Sequence, residues 1–500
     1  MNHSRRGFGA ALIGFTLSFG LALAKESKDA PAAPTVYSAE TARAELRDLY
    51  RTLQESHFDL FVHRPKAEYD ALYASLLTEW GHPFSPLELQ VALQKFMAYG
   101  RVAHSRIDFP ALEFEKFRVA GGKILPVEVK VRDGRGYVAS DLGDAAEPPI
   151  SPGEEITALN GVAFPLWRKR LSAYVSADND RLGDTLLELR FAALLWQELG
   201  AVDAFDLTLR ASDGSSRTVH RTARTRAQMD KREAGKPKLL ALDWSAREAR
   251  MLSEHLAYLR PGPFYDNRPG VENIWDPGEF SDFIDASMNR FRTAGADTLL
   301  IDLRNNPGGD NSFSDLLVRR YADRPFRFAS HFWIKVSAAS TASNAERMKP
   351  GESGVAGQLA QAYAKSTNGE IIDFPIDMTS PARAEDRFHG RVYLLINRYS
   401  YSNTVMVAAM SQDYHFATIL GEETADLAST HGAMEQFKLP RSGIMVGYPK
   451  AHIIRPSGDP TSRGVVPDVA IETPLLESSD DPVLRKAVAI IAANPADPAK

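Results

Sequence analysis

The stretch LLIDLRNNPGG, residues 299–309, decides the fold. It starts as an apolar run, which is typical of a buried strand, and then turns polar and closes on paired glycines. Glycines at the end of a strand leave backbone N–H groups bare, because no Cβ blocks the approach of another group. The stretch therefore predicts a core strand that carries a functional loop at its end.

Strand and helix patterns alternate on both sides of this stretch. In chain order they are the helical EFSDFIDASMNRFRTAG, the strand above, the helical NSFSDLLVRRYA, the strand GRVYLLINRYS, the helical NTVMVAAMSQDY and the strand FATILGEET. Repeated β/α pairing of this kind favours a layered α/β domain with a largely parallel sheet. We assign it to residues 250–477, with 478–500 as a C-terminal tail.

The upstream half has a different pattern. Apolar residues recur at helical spacing through residues 38–115, which predicts an N-terminal helical domain. Short β-like runs broken at Asp-Gly and Asn-Gly turns fill residues 116–224, and a charged segment at 225–249 is interpreted as a linker. The polar segment 337–370 is either a mobile flap over a cleft or a passive insertion, the insertion being the default.

Within the β region, SPGEEITALNGVAF gives a strand, an Asn-Gly turn and a second strand. It resembles the PDZ module, through Pro152, Gly153, Ile156, Leu159, Asn160 and Gly161. The resemblance implies a PDZ-like domain that captures an extended peptide by strand addition. A plain structural β domain would give a similar pattern.

The first 24 residues are basic and then apolar, and they end in the small residues Ala22-Leu23-Ala24, which indicates an export signal. Arg5-Arg6 makes the signal similar to a twin-arginine leader, although Sec export and an uncleaved anchor helix stay open. Residues 25–37 are interpreted as a flexible leader. We therefore expect a periplasmic or secreted protein with no stable membrane span once the signal is removed.

The composition is that of a multidomain globular protein: 500 residues, 44% hydrophobic, 25% charged, with a net charge of −5. No basic block points to nucleic acid, so a peptide, a protein or a small molecule is the expected partner. The chain has no cysteine, which excludes thiolate catalysis. The scattered histidines form no zinc motif, and we expect neither a metal nor a cofactor.

Ser402 follows a buried strand and a polar elbow, directly before a helix. A hydroxyl at a helix N-terminus lies near unpaired N–H groups and the positive end of the dipole, so it can serve as a nucleophile if a base is near. Serine is also a common N-cap, and from this segment alone capping is the favoured interpretation.

The order of the motifs changes that balance. LIDLRNNPGG, the elbow with Ser402, GEET (421–424), KLPRSG (438–443) and RGVVPDV (463–469) together resemble the C-terminal-processing, or tail-specific, serine peptidases and their tricorn-core relatives. The resemblance implies an α+β multidomain protein whose layered α/β catalytic domain is ClpP/crotonase-like. It also implies a Ser402 nucleophile and an oxyanion hole built from Gly309, with Gly308 beside it, and the N–H of Asn403. Asn403 and Val405 stand where the family usually has small and acidic residues.

The two branches of this family use different residues as the general base. One branch uses a lysine at the position of Leu427, so a Ser-Lys dyad is not expected here. The tricorn-like branch uses a histidine from the helical region, and this implies His104, with His431 as second choice. The branch's orienting glutamate corresponds to Thr461, so Asp459 or the hydroxyl of Ser105 is the substitute.

Two functions follow from these patterns. The first is an exported serine peptidase that hydrolyses an extended peptide through Ser402, His104 and a backbone oxyanion hole. The alternative is a non-catalytic protein that binds a peptide or another ligand on the same fold, which the substitutions at 405 and 461 favour.

Overall fold

A computed structural model describes residues 36–348 and 354–494. The predicted signal segment 1–24 and most of the leader lie outside the described residues. Along those ranges the chain is a mixed α+β protein with three sheets. No helix in them combines the length and apolar character that crossing a bilayer requires.

The first unit is helical. Its helices are α1 (Ala39–Ser56), α2 (Lys66–Glu79) and α3 (Pro86–Ala98). Ser38 caps α1 by accepting the N–H of Thr41, and Ser85 forms a capping box with Glu88 at the start of α3. The buried faces of these helices also pack on Leu439, Val446 and Tyr448 of a later hairpin, so the unit is docked on the four-stranded sheet of the second half of the chain.

The second unit begins with helix α4 (Ala111–Val119) and is built on an antiparallel six-stranded sheet. Its strands are β1 (Val127–Arg132), β2 (Arg135–Asp141), β3 (Glu155–Leu159), β4 (Val162–Ala163), β5 (Ala204–Arg210) and β6 (Ser216–Thr222). The order is β1-β2-β3-β5-β6, with β4 paired to β3. Helices α5 (Phe164–Ser172) and α6 (Asp180–Leu199) pack against it.

Asp-Gly and Asn-Gly turns close the hairpins of this unit where the sequence indicates them. Asp133 and Gly134 join β1 to β2, and Asn160 and Gly161 join β3 to β4, with positive φ at all four residues. Such turns match the right-handed twist of paired strands.

The third unit carries a second six-stranded sheet. Its strands are β7 (Glu248–Met251), β8 (Leu256–Arg260), β9 (Thr298–Asp302), β12 (Arg391–Ile396), β13 (Thr418–Gly421) and β16 (Val469–Ala470). The order is β16-β13-β12-β9-β8-β7, and every pairing except the hairpin β7–β8 is parallel. Its helices are α8 (Gly278–Thr293), α9 (Asn311–Val318), α12 (Asn403–Asp413) and α13 (Pro482–Ala493).

Helices cover both faces of this parallel sheet. Apolar residues of α8, α9 and α12 pack on one face, and those of α13 pack on the other. Strands buried on both faces read as continuous apolar runs, as the strand at 299–301 does. Loops that follow the neighbouring strands β9, β12 and β13 leave the same edge of the sheet, and this brings three sequence motifs together.

The third sheet extends from the catalytic unit. Its strands are β10 (His331–Lys335), β11 (Ile371–Asp373), β14 (Thr430–Lys438) and β15 (Met445–Ile454), in the order β11-β10-β15-β14. Helices α10 (Ala338–Arg347) and α11 (Val355–Ala364) lie between β10 and β11, and a short 3-10 helix spans Ala384–Asp386.

Three segments carry more regular structure than the sequence indicates. The segment 225–249, interpreted as a linker, begins with helix α7 (Arg226–Ala234) and runs into β7. The stretch 337–370 contains α10 and α11 on either side of the undescribed residues 349–353. The tail 478–500 contains α13, whose apolar face packs on the parallel sheet. Tertiary packing stabilises α11 and α13, whereas α7 has no buried residue and begins with a capping box between Thr225 and Gln228.

Candidate active site

Ser402 lies at a strained elbow between β12 and α12. Its backbone has φ 54° and ψ −126°, a combination that is unfavourable for any residue with a Cβ. The Ser402 side chain makes no capping hydrogen bond to α12, which argues against a plain N-cap. Ser402 therefore occupies the position directly before the helix without capping it.

Backbone and side-chain contacts hold the elbow in place. The buried hydroxyl of Ser400 donates to the carbonyl of Leu303 at 2.9 Å, and the N–H of Tyr401 donates to the carbonyl of Asn306 at 3.0 Å. Both acceptors belong to the loop that follows β9. The elbow is therefore tied to the glycine-bearing loop by two consecutive residues, Ser400 and Tyr401.

The paired glycines have different roles. The N–H of Gly308 already has an acceptor, because it donates to Oδ1 of Asn306 at 2.9 Å. A methyl group on Gly308 would lie 2.8 Å from the nitrogen of Asn403. Gly309 packs on Phe264, whose carbonyl oxygen would be 2.1 Å from a Cβ. Within residues 36–348 and 354–494, neither the N–H of Gly309 nor that of Asn403 has a hydrogen-bond acceptor. These two donors are free for a substrate carbonyl.

A buried ion cluster supports the glycine-bearing loop from behind. Asp302 is bonded by Arg304, by Arg260 and by the hydroxyl of Tyr258. Arg304 also pairs with Asp481, the N-cap of α13. The partners of the buried Asp302 charge thus come from β8, which carries Tyr258 and Arg260, and from the loop itself, whose Arg304 is anchored to α13, and together they restrain the start of the loop.

The structure brings His104 to the elbow from the segment after α3. Its ring is buried and stacks on the ring of Tyr401, the neighbour of Ser402, with centroids 5.6 Å apart and planes 23° apart. Burial lowers the pKa of His104 to about 4, against the opposing effect of Asp178, so the imidazole is neutral at pH 7. A neutral imidazole is the form that accepts a proton.

The backbone of His431 lies beside the ring of His104 and favours its protonated form, against the larger effect of burial on the pKa. Nδ1 of His104 is buried and has no hydrogen-bond partner among the described residues. The ring of His431 points elsewhere, since it stacks on His452 at 4.5 Å. Burial lowers the pKa of His431 to about 4 as well.

The two expected orienting groups are placed differently. The hydroxyl of Ser105 is buried without a partner within the described ranges, next to His104 in the chain. The carboxylate of Asp459 accepts the N–H and the hydroxyl of Thr461, at 2.9 and 2.6 Å, in an exposed turn. Its hydrogen bonds therefore serve its own loop.

Two carboxylates that the motifs do not indicate lie beside the elbow. Asp426 follows β13, is fully buried, and accepts the N–H of Ser402 on Oδ2 at 2.6 Å. Asp178 precedes α6; its side chain is 2% exposed, and it accepts the N–H of Ala103, next to His104, at 3.3 Å. Burial, and then the charge of Asp178, raises the pKa of Asp426 to about 7.

Sequence reasoning missed both acids. Asp426 directly precedes Leu427, the position at which the lysine branch has its base. An acid beside that position was therefore a usable signal for a residue of the site. Asp178 belongs to the second unit, and nothing in its neighbourhood in the sequence indicates that it reaches the catalytic half.

Helix α6 of the second unit also contacts the elbow. Nε of Arg398 donates to the hydroxyl of Thr185 at 2.9 Å, and the hydroxyl of Tyr399 donates to Glu188. Glu188 is itself paired with Lys130 on β1 at 2.8 Å. Helix α6 thus connects the unit that is predicted to bind peptides with the elbow that carries Ser402.

Taken together, the site has a strained serine, two unpartnered N–H groups, a neutral buried imidazole and two buried carboxyl groups. An arrangement of this kind suits acyl transfer, in which a hydroxyl attacks a carbonyl and the resulting oxyanion is bound by backbone donors.

Comparisons with known proteins agree with this chemistry. A sequence model described as Peptidase family S41 matches residues 273–471. No curated protein sequence matches the chain significantly.

Three solved structures resemble the chain at low sequence identity. Mature CPAF is 16% identical, with 86% of this chain and 92% of that chain covered and a TM-score of 0.56. A photosystem II D1 C-terminal processing protease is 16% identical, with 86% of this chain and 93% of that chain covered and a TM-score of 0.42. The tricorn protease is 12% identical, with 90% of this chain and 36% of that chain covered and a TM-score of 0.37. The first TM-score shows a shared fold; the other two are too low to carry an argument.

Proposed function

We propose that the chain acts as a serine-type peptidase, as its match to the peptidase family S41 model over residues 273–471 indicates, and that Ser402 is its nucleophile. The observation that carries this assignment is the strained elbow: Ser402 directly precedes Asn403 and packs against Gly308, and the N–H groups of Asn403 and Gly309 have no acceptor among the described residues. Strain of about 1–3 kcal/mol at a single residue persists only where the surrounding contacts impose it, and such residues cluster at functional sites.

In the proposed reaction, Oγ of Ser402 attacks the carbonyl carbon of a peptide bond. The N–H groups of Gly309 and Asn403 bind the oxyanion, each contributing about 3 kcal/mol in serine proteases generally. The imidazole of His104 accepts the hydroxyl proton and passes it to the leaving amine. Water then attacks the acyl-enzyme while His104 accepts its proton, and His104 returns that proton to Oγ of Ser402 as the ester bond breaks and the acid product leaves.

The substrate is a peptide or a protein, as expected of a peptidase domain. We propose that the antiparallel second unit is a PDZ-like module that holds an extended segment of this substrate. Contacts of α6 with Arg398 and Tyr399 support the proposal, because they link that unit to the elbow. Export to the periplasm or the medium is part of the same proposal and rests on the first 24 residues.

The test uses Ser402→Ala with Ser457→Ala as a matched control, since Ser457 lies on an exposed turn. Purified wild-type protein should hydrolyse an unfolded protein substrate and take up a fluorophosphonate probe at Ser402. Ser402→Ala should lose both while keeping its thermal unfolding profile, and Ser457→Ala should keep all three. Full hydrolysis by Ser402→Ala rejects the assignment. Absence of both hydrolysis and labelling in the wild type favours the non-catalytic binding protein.

A further inference from the structure

The carboxyl group of Asp426 contacts the nucleophile, yet the proposed reaction leaves it without a role. Oδ2 accepts the backbone N–H of Ser402 at 2.6 Å. Oδ1 is buried and has no hydrogen-bond partner within the described parts of the chain. A fully buried carboxyl group with one oxygen unpaired is costly, so its retention points to a function.

The position of Asp426 is fixed by its neighbours. The hydroxyl of Thr424 donates to the carbonyl of Asp426 at 2.8 Å and accepts the N–H of Val465 at 2.9 Å. Gly464 packs closely on the same residue, since a Cβ there would lie 2.0 Å from the carbonyl oxygen of Thr424. The motif RGVVPDV (463–469) thus helps to fix the backbone of Asp426 beside the elbow.

The contact acts on the strained residue itself. The N–H of Ser402 has an unusual direction because φ is 54°, and Asp426 is its acceptor. A hydrogen bond to an ionised carboxylate is about twice as strong as one between neutral groups. The ionised form therefore holds the elbow more firmly than the protonated form.

The charges around Asp426 come from three elements. Asp178 faces it from the segment before α6, and Tyr401 lies beside it on the elbow. Arg106, from the segment after α3, acts on Tyr401 and on His104. Burial and Asp178 both favour the protonated form, and the backbone N–H groups of Ser402 and then Leu427 favour the ionised form.

We propose that Asp426 is a positioning residue for Ser402 and that the peptidase works with this carboxyl group ionised. This inference rests on the proposed function. The carboxylate fixes the elbow, so that the hydroxyl of Ser402 and the N–H of Asn403 face the same substrate carbonyl. Protonation weakens that hold, and activity then falls in the pH range where Asp426 titrates.

The experiment measures kcat/KM and the rate of fluorophosphonate labelling from pH 5 to pH 9. Wild-type activity should rise through a limb near pH 7. Asp426→Asn keeps an oxygen acceptor but has no charge, so it should lack that limb and be slower at pH 8 by about 10- to 100-fold, the factor for one hydrogen bond to a charged group. Glu423→Gln, in the same loop, should keep the wild-type profile.

A second variant keeps the test informative if Asp426→Asn does not fold. Asp178→Asn removes the charge that favours the protonated form, so the limb should move to lower pH. A wild-type rate and limb in Asp426→Asn, or an unmoved limb in Asp178→Asn, overturns the inference while Ser402 stays the nucleophile. A wild-type protein that neither hydrolyses substrate nor labels at Ser402 overturns the proposed function as well.

Discussion

Gly308 faces the backbone nitrogen of Asn403 so closely that a methyl group added to it would lie 2.8 Å from that nitrogen and 2.9 Å from Cβ of Ser402. The glycine-bearing loop and the elbow are therefore in direct contact through a residue with no side chain. Any group at this position has to push the proposed nucleophile away from the proposed oxyanion donors.

We expect Gly308→Ala to lower kcat by about 100-fold, the cost of displacing reacting groups by about 1 Å. Gly443→Ala is the matched control, because Gly443 also has a positive φ, 70° against 86°, but open space around it. That control should lose only the backbone term, about 1–2 kcal/mol of stability, and keep its kcat. Steady-state hydrolysis measures kcat, and thermal unfolding measures the stability of both variants. A wild-type kcat in Gly308→Ala would show that the close approach of Gly308 to Asn403 does not matter for catalysis.

His104→Gln should slow hydrolysis by about 100- to 10,000-fold, the usual contribution of a general base. His431→Gln should slow it by only a few fold, because the backbone of His431 lies beside His104 while its own ring stacks on His452. Labelling of Ser402 by the fluorophosphonate probe measures the same step without a substrate. If His431→Gln proves inactive and His104→Gln active, the two histidines have exchanged roles.

Much of the catalytic half could be predicted from sequence because its signals are local. The apolar strand at 299–301, the paired glycines and the helix after Ser402 each have a pattern that a few residues specify. Parallel strands then bring the loops after β9 and β12 to one edge of the sheet. The strands and turns of the second unit were predictable for the same reason.

The rest depends on how the units dock. Asp178 and Ser402 are 402 − 178 = 224 positions apart and belong to different units, so no local pattern links them. The helix α13 was missed because its stability comes from packing on the parallel sheet. His57 follows α1 directly, and its complete burial arises from the docking of α1 on the third sheet, which no local pattern indicates.

Asp426 should reduce the stability of the folded protein at neutral pH. Its folded pKa is about 7, against an ordinary value of 3.8, so between these values the folded state keeps a proton that the unfolded state has released. Wild-type stability therefore falls as pH rises from about 4 to 7. Asp426→Asn removes this term and should be more stable at pH 8, by up to about 4 kcal/mol, with little difference at pH 4.

Thermal or urea unfolding at the two pH values measures this effect. A gain in stability together with a loss of activity separates a positioning carboxylate from a structural one, because a purely structural group would lose both. Equal destabilisation of Asp426→Asn at pH 4 and pH 8 would show that the carboxyl group is not held protonated in the folded state.

The last prediction concerns His57, which is fully buried and has no hydrogen-bond partner on either ring nitrogen among the described residues. Burial, and then the nearby His431 and Lys335, lowers its pKa well below the ordinary 6.5. As pH falls below 6.5, His57 binds a proton in the unfolded state but not in the folded state, so the free energy of unfolding decreases with acidification. His57→Phe should match the wild type within about 1.5 kcal/mol at pH 7. At pH 5 it should gain about 2 kcal/mol relative to the wild type, because the proton uptake is abolished.

His255→Phe, at a side chain that is 72% exposed, is the control and should show a much smaller pH-dependent difference in urea unfolding. An unchanged acid sensitivity in His57→Phe would mean that the buried imidazole finds a partner or a proton in the folded state.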